Sequence, residues 1–338
     1  MVIFVLMQKI LVIQTAFIGD VVLATGILEK LHGRYPDASI DMMVRKGNES
    51  LFTDHPFLHE VLIWDKKQSK YAHLFSLLKQ IRKSRYDVLI NVQRFAATGF
   101  LTAFSKAKQT IGFDKNPFSF LFSDVIRHVV SEGDHTLHEI ERNHQLIISL
   151  TDGVAAKPKL YPSEKDREAV AEWTGRKYIC LAPASVWFTK QFPAEQWKDL
   201  VEALPNDITV YLLGAPGDHD LCESIRSGSQ RSAVINLAGR LNFLQSAALM
   251  KNSIMNYVND SAPMHFASSV NASVAAVYCS TIPAFGFGPL SDKSHIIEVA
   301  EPLSCRPCGL HGKKACPLVH FNCARQITRQ QLLAVLPQ

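Results

Sequence analysis

Ile10-Leu11-Val12-Ile13-Gln14-Thr15-Ala16-Phe17-Ile18-Gly19-Asp20 is the stretch on which the fold turns. Four consecutive apolar residues read as a strand buried on both faces, which is the habit of a parallel sheet. Gly19 permits a tight strand-to-helix turn, and Asp20 then falls in the first turn of a helical stretch, Asp20–Leu31. In open α/β sheets that turn lies at the carboxyl edge, where ligands bind. Asp20 has two readings, an acid that favours the helix dipole or a working carboxylate. The dinucleotide fingerprint G-x-G-x-x-G is absent, which counts against a nicotinamide dehydrogenase. Ahead of the strand, Met1–Leu6 is apolar, but no basic region precedes it and no small-residue cleavage site follows, so it reads as an extension of the strand. No stretch approaches the ~20 uninterrupted apolar residues of a membrane span.

The same alternation continues outward. Ser39–Val44, Glu60–Ile63 and Val88–Val92 read as strands, with a helix over Leu74–Ser84. A second series follows, with strands at Tyr178–Ala182, Thr209–Leu213, Met255–Val258 and Ser273–Tyr278. Its helices are expected at Glu164–Trp173, Ala194–Ala203, Asp218–Ser227, Leu241–Met250 and Pro263–Ser269. Strands alternating with helices make two parallel sheets covered on both faces, hence two α/β domains. Gly153, Pro158 and Pro162 bracket the join, which places the domains at residues 1–160 and 161–338. Ser163 followed by Asp166 supplies a start for the second domain's first helix.

Composition agrees with two globular domains. Of 338 residues, 47% are hydrophobic, which excludes a disordered chain. The net charge of +5 permits an anionic ligand without demanding nucleic acid, and no basic run interleaved with aromatics supports nucleic-acid binding. Cys180, Cys222 and Cys279 are scattered, while Cys305, Cys308, Cys316 and Cys323 crowd together. An odd total of seven in a chain without a secretion signal fits a reducing cytoplasm.

Three further segments sit where strands give way to helices. Pro183–Pro193 offers Ser185, Thr189 and Lys190 to a phosphate, or is a surface loop with a solvated lysine. Leu212–Asp218 is a glycine-rich turn around Gly214, able to expose backbone N–H groups to a nucleotide or merely to join strand to helix. Asn259-Asp260-Ser261-Ala262-Pro263-Met264-His265 puts a proline at a helix start, where its missing N–H costs nothing. The remaining first-turn N–H groups suit a diphosphate; the plainer alternative is a capped helix with a partly buried His265. Among the cysteines, C-x-x-C with two more matches structural Zn2+ ligation, with His320 as a substitute ligand. Labile disulfides and reduced thiols packing a loop explain the same residues.

In this order, Ile18-Gly19-Asp20, Thr189–Pro193, Leu213–Asp218, Asn236-Leu237-Ala238-Gly239-Arg240 and Asn259–His265 resemble the family 9 glycosyltransferases, the bacterial heptosyltransferases of lipopolysaccharide core assembly. The resemblance covers nearly the whole chain, and the cysteine-rich tail is similar to that of the heptosyltransferase II branch. It implies a GT-B fold, two Rossmann-like domains facing across a cleft, the first for the acceptor and the second for the donor ADP-heptose. It also implies inversion at the anomeric carbon. Asp20 matches the family's catalytic aspartate and would deprotonate the acceptor hydroxyl. Lys190 and the helix after Ser261 would stabilise charge on departing ADP, with Ser261, Ala262 and His265 at the phosphates and Asp260 nearby. Ser185, Thr189 and Gly214 complete the donor side. Ala262 stands where glycine is commoner, and Gln191 where a base is.

For an acidic, lipid A–Kdo-type core acceptor, Arg94 and Lys106 are the candidates, with Lys108, Arg45 and Lys46 offering the same charge and none ranked above the rest. No cofactor is demanded; Mg2+ and a structural Zn2+ are the two metals left open. The expected location is cytoplasmic, with weak electrostatic contact at the inner membrane. Two other readings stand beside this one, a transferase for another nucleotide sugar or acceptor, and a non-catalytic nucleotide-sugar-binding protein.

Overall fold

The computed structural model describes residues 9–67, 69–132 and 135–337; Met1–Leu6 lies outside them. The chain divides into two compact units, the first ending at Tyr161 and the second beginning at Pro162.

The first unit runs β1 (Lys9–Ile13), α1 (Ile18–Arg34), β2 (Ser39–Arg45), β3 (Leu58–Trp64), α2 (Lys70–Ser84), β4 (Val88–Asn91), α3 (Ala96–Ala103), β5 (Gln109–Phe113) and β6 (Asp124–Ile126). A short antiparallel ladder, β7 (Ser131–Glu132) with β8 (His135–Thr136), precedes α4 (Glu139–His144). The six strands β1–β6 form one parallel sheet in the order β3-β2-β1-β4-β5-β6. Ile10, Leu11, Val12 and Ile13 are fully buried at its centre, each worth about 1.5–3 kcal/mol of transfer free energy. Helix α1 is tied back to the end of the unit: Thr25 Oγ1 accepts from Lys159 N–H at 2.8 Å, and the Tyr161 hydroxyl donates to Glu29.

The second unit opens at a reciprocal cap, Ser163 Oγ accepting from Asp166 N–H while the Asp166 carboxylate accepts from Ser163 N–H. It then runs α5 (Glu164–Ala169), α6 (Ala171–Thr174), β9 (Tyr178–Ala182), α7 (Ala194–Ala203), β10 (Thr209–Leu212), α8 (His219–Ser227), β11 (Val234–Asn236), α9 (Phe243–Lys251), β12 (Asn256–Asn259), α10 (Ala262–Ser269), β13 (Val274–Tyr278), β14 (Ser294–Glu298), α11 (Asn322–Arg325) and α12 (Arg329–Leu333). Its strands β9–β14 are parallel in the order β11-β10-β9-β12-β13-β14.

Both sheets therefore carry the same strand permutation. The chain order reverses between β1 and β4 in the first and between β9 and β12 in the second, and in such sheets the ligand site lies outside the carboxyl ends at that reversal. In the first unit those ends release Gln14–Asp20 and Gln93–Arg94. In the second they release Pro183–Pro193 and Asp260–Ser261. Topology alone thus selects most of the segments the sequence singled out.

Strands β5, β6, β11 and β14 had no counterpart in the sequence reading. Two of them, β6 and β11, have only three residues, and β14 is an edge strand with a half-exposed pattern. The apolar run that marks a strand covered on both faces does not develop there.

Candidate active site

In the first unit, side chains from three strand ends hold the loop after β1. Asn48 Nδ2 donates to the Ala16 carbonyl at 3.2 Å, Lys66 Nζ donates to the Thr15 carbonyl at 2.7 Å, and Gln93 Nε2 donates to Gln14 Oε1. Asp20, the third residue of α1, is half-buried at the end of this braced loop. Its carboxyl is pushed up to about 6, first by desolvation and then by the negative charge of Glu139. The backbone N–H groups of Asp20 and Phe17 and the charge of Arg45 pull the other way, without prevailing. Helix-dipole stabilisation is thus present but outweighed, leaving a carboxylate whose pKa suits proton uptake near neutral pH. Glu139 is itself fixed by the buried Arg142, 2.7 Å away.

Cations gather at the same edge. Arg45 ends β2 with its guanidinium 5.0 Å from the ring centroid of the exposed Phe17. Lys66 follows β3 with its ammonium 4.7 Å from the Trp64 centroid, and desolvation, then the charges of Arg45 and Lys70, lower its pKa to about 8. Exposed Arg94 follows β4. Lys46 is paired with Asp65 at 2.8 Å. Lys106 lies elsewhere. It stands between α3 and β5, at the amino edge of the sheet, because α3 carries the chain back across the full strand length. Lys108 stands there too, paired with Asp87 at 2.7 Å. The structure thus groups Arg94 with Asp20 but separates Lys106 from it. Lys66 and Glu139 take part without having been anticipated: one is a lysine just past a strand, the other the first residue of a short helix.

In the second unit, Asn259 is the organising residue. It is fully buried at the end of β12, accepts from Phe192 N–H at 2.9 Å and donates to the Pro183 carbonyl at 2.7 Å. One side chain therefore pins both ends of the loop carrying Lys190. A polar residue closing a strand, at a position where backbone pairing leaves its side chain unsatisfied by the sheet, was the available sequence signal. Beyond it, Lys190 Nζ lies 2.7 Å from Asp260 Oδ2, and the Thr281 hydroxyl donates to the same oxygen at 2.6 Å. Asp260 is buried, so the ammonium is aimed by a carboxylate that needs it.

Ser261 is the extended residue before α10, and its hydroxyl turns back to the Asn259 carbonyl at 3.4 Å instead of capping the helix. The helix begins at Ala262, which puts Pro263 second, not first. Ala262 is helical, so an alanine in place of glycine is accommodated without strain. His265, the fourth helical residue, is buried. Gln191 donates to the Ser185 carbonyl at 2.6 Å and so braces the loop from within. Thr189 is buried, its hydroxyl accepting from Lys313 N–H at 2.7 Å and from Ser280 at 2.9 Å. Gly214 is in a turn closed on itself, with Asp218 accepting from Ala215 N–H at 2.8 Å and Gly239 N–H donating to the Gly214 carbonyl at 2.9 Å. The structure therefore brings Lys190, Asp260, Ser261 and Ala262 together, with Ser185 and Thr189 in the adjoining loop and Gly214 at the next strand end.

Cys305, Cys308 and Cys316 are gathered close enough to Cys323 for each thiol to affect its charge. All seven cysteines are free, and among the described residues Asp41, His59 and Glu60 bring three metal-capable side chains within ligand reach of one another. Cys323 is drawn into the hydrophobic core with Cys316 packed against it, while Cys308 Sγ donates to the Cys305 carbonyl. Burial, then the neighbouring thiols, pushes Cys323 up to about 11, so it packs as a neutral thiol.

Two six-stranded parallel sheets of the same strand permutation are the architecture of the GT-B glycosyltransferases. The family model for glycosyltransferase family 9 (heptosyltransferase) matches residues 74–317. The chain belongs to that family and is a glycosyltransferase. It is 25% identical over 280 residues to the lipopolysaccharide heptosyltransferase 3 of Escherichia coli, covering 78% of this chain and 82% of that one. Against the lipooligosaccharide heptosyltransferase 2 of Haemophilus influenzae the figures are 23% over 328 residues, 87% and 89%. The solved structure of the E. coli ADP-heptose LPS heptosyltransferase II superposes with a TM-score of 0.80 at 23% identity, over 97% of each chain. Among the described residues, no helix is long and apolar enough to cross a membrane.

Proposed function

We propose that this enzyme transfers heptose from ADP-heptose to the inner core of lipopolysaccharide, inverting the anomeric carbon. The observation that carries the reading is Asp20, a carboxyl held near pKa 6 at the first unit's switch point. A protein that only bound a nucleotide sugar would have no use for it. The acceptor hydroxyl oxygen attacks the anomeric carbon and its proton passes to Asp20 as the bond to the β-phosphate oxygen of ADP breaks. A single displacement of this kind inverts. Negative charge grows on ADP, and the charges this chain presents to it are the Lys190 ammonium and the start of α10. The relatives' names, lipopolysaccharide and lipooligosaccharide heptosyltransferases, support the sugar and the acceptor class.

In this reading the first unit takes the acceptor and the second the donor. Arg45, Lys66 and Arg94 form the seat for an acidic, lipid A–Kdo-type acceptor, and Lys106 and Lys108 have no part in it. A lipid-linked acceptor brings the enzyme to the cytoplasmic face of the inner membrane, through its acidic head groups. Lys66→Met should raise the acceptor KM about tenfold and, because it also removes a brace of the Asp20 loop, lower kcat, while Lys106→Ala leaves both unchanged. Because Lys66 loses its proton near pH 8, acceptor KM should also rise above that pH in wild type and not in Lys66→Met. A Lys106→Ala enzyme with the larger defect would reverse the assignment.

The donor and stereochemistry are tested together. Wild-type enzyme is supplied with ADP-heptose, or with ADP-, GDP- or UDP-hexoses, and a heptose-deficient core acceptor, and the product linkage is read by NMR. ADP-heptose should be turned over fastest and give the inverted anomer. Faster transfer from another nucleotide sugar, or retention, would overturn the proposal.

A further inference from the structure

The cysteine-rich segment has no place in the transfer step, yet it is built onto the loop that carries Lys190. Arg306 anchors its start. Its guanidinium donates to the carbonyls of Cys279 at 2.8 Å and Thr281 at 2.7 Å and pairs with Glu298. Those carbonyls flank Ser280 and Thr281, the residues that hold Thr189 and Asp260. Cys308 N–H then donates to the Ser280 carbonyl at 2.9 Å. Four residues on, the chain crosses Lys190 itself. Thr189 N–H donates to the Lys313 carbonyl at 3.1 Å, and Lys313 N–H donates back to Thr189 Oγ1 at 2.7 Å. The far end is fixed by Phe321, whose ring lies 5.3 Å from that of Phe188, and by Cys323 in the core.

Gly312 sits at the crossing. Its φ of +77° is a left-handed conformation that glycine adopts freely. A Cβ there would lie 2.9 Å from Lys190 Cγ, 3.1 Å from Thr189 Oγ1 and 3.2 Å from Trp187 Cβ. Lys190 Cγ and Trp187 Cβ lie near the root of their side chains, where little room exists to swing aside. The backbone of the segment therefore rests directly on the lysine stem. Gly309 in the same segment has a φ of +93° but open space around its missing Cβ.

We propose that residues 305–323 form a positioning strap that sets the reach of Lys190 toward the departing diphosphate, with Gly312 and the Lys313 backbone as its positioning residues. The inference rests on Lys190 acting on the leaving group, so its test carries that assumption as a separate arm. Four proteins are compared for kcat, KM and Tm: Gly312→Ala, Gly309→Ala, Lys190→Met and the Gly312→Ala/Lys190→Met double variant. Thr189→Val, which removes the hydroxyl that receives Lys313 N–H, is the second route to the same displacement.

Gly312→Ala and Thr189→Val should lower kcat about 10- to 100-fold, as ångström-scale misplacement does, with acceptor KM unchanged. Gly309→Ala bears similar backbone strain and should lose Tm without losing kcat. In the double variant, Gly312→Ala should add nothing to the loss from Lys190→Met, since a strap with no ammonium to place has no further effect. Equal kcat for Gly312→Ala and Gly309→Ala, or losses that multiply in the double variant, would overturn the strap while leaving Lys190 in its role. If Lys190→Met transfers at the wild-type rate, the leaving-group reading falls, and the strap falls with it.

Discussion

Asp20→Asn should remove nearly all transfer activity and, at neutral pH, make the folded protein more stable. The two effects share one cause. The fold raises this carboxyl from 3.8 to about 6, so the folded state binds its proton more tightly than the unfolded chain does. The resulting stabilisation is fully present below pH 3.8, where the group is protonated in both states, and is lost as pH rises through 6. At pH 8 the folded protein carries an ionised carboxylate that burial and Glu139 disfavour. A shift of this size corresponds to at most about 3 kcal/mol, and solvent reaching a half-buried group reduces it to about 1–2 kcal/mol. Asparagine keeps the shape without the charge. The variant should therefore melt about 2–6 °C higher than wild type at pH 8 and at the same temperature at pH 4.

Activity should move the opposite way. Loss of a positioned general base costs about 10²- to 10⁴-fold in kcat. Wild-type kcat/KM should fall tenfold per pH unit below about 6, and that limb should be missing from the residual activity of Asp20→Asn. Replacing Glu139 by Gln removes the second cause of the shift and should move the wild-type limb to lower pH. An Asp20→Asn enzyme that kept its activity within a few-fold, or kept the acid limb, would remove the base from Asp20.

The sequence disclosed Asp20 but not what sets its pKa, and the reason is general to this fold. A strand covered on both faces leaves a run such as Ile10–Ile13, which is legible, and the turn after it is legible by adjacency. Glu139 reaches Asp20 only because α4 packs on α1 across more than a hundred residues, and no local pattern encodes that. Lys106 was misplaced for the converse reason. A lysine near a strand is as readily at its amino end as at its carboxyl end, and the choice depends on where the intervening helix α3 stops. In the second unit, Asn259 stands beside Asp260 with no local mark of its role, because it holds backbone groups of Pro183 and Phe192 about seventy residues away. The spacing of the tail cysteines leaves zinc, labile disulfides and packed thiols equally open. Packing accounts for Cys323 itself, which sits in the core with the other three thiols close enough to affect its charge.

Lys190→Met should be costly twice over, and the two costs should separate. The side chain of Asp260 is only 8% exposed and its Oδ2 is held by Lys190 at 2.7 Å and by the Thr281 hydroxyl. Methionine fills the lysine's volume but strands the carboxylate, and breaking a buried pair from one side costs about 3–5 kcal/mol. Thr281 and any water that enters soften this, so a loss near the lower figure is expected. The chemical cost has a different origin. Lysine offers three N–H donors, and the bond to Asp260 uses one, which leaves the others for the departing diphosphate. Their loss should lower kcat about 10²- to 10³-fold, the scale of removing one preorganised donor from developing charge. Adding Asp260→Asn to Lys190→Met removes the stranded charge, so the double variant should regain most of the lost stability. It should regain none of the activity, because no ammonium returns. Stability and activity recovering together would mean that Lys190 matters for folding alone. A Lys190→Met protein that was unstable but fully active once folded would assign the leaving-group charge to α10 without help from the lysine.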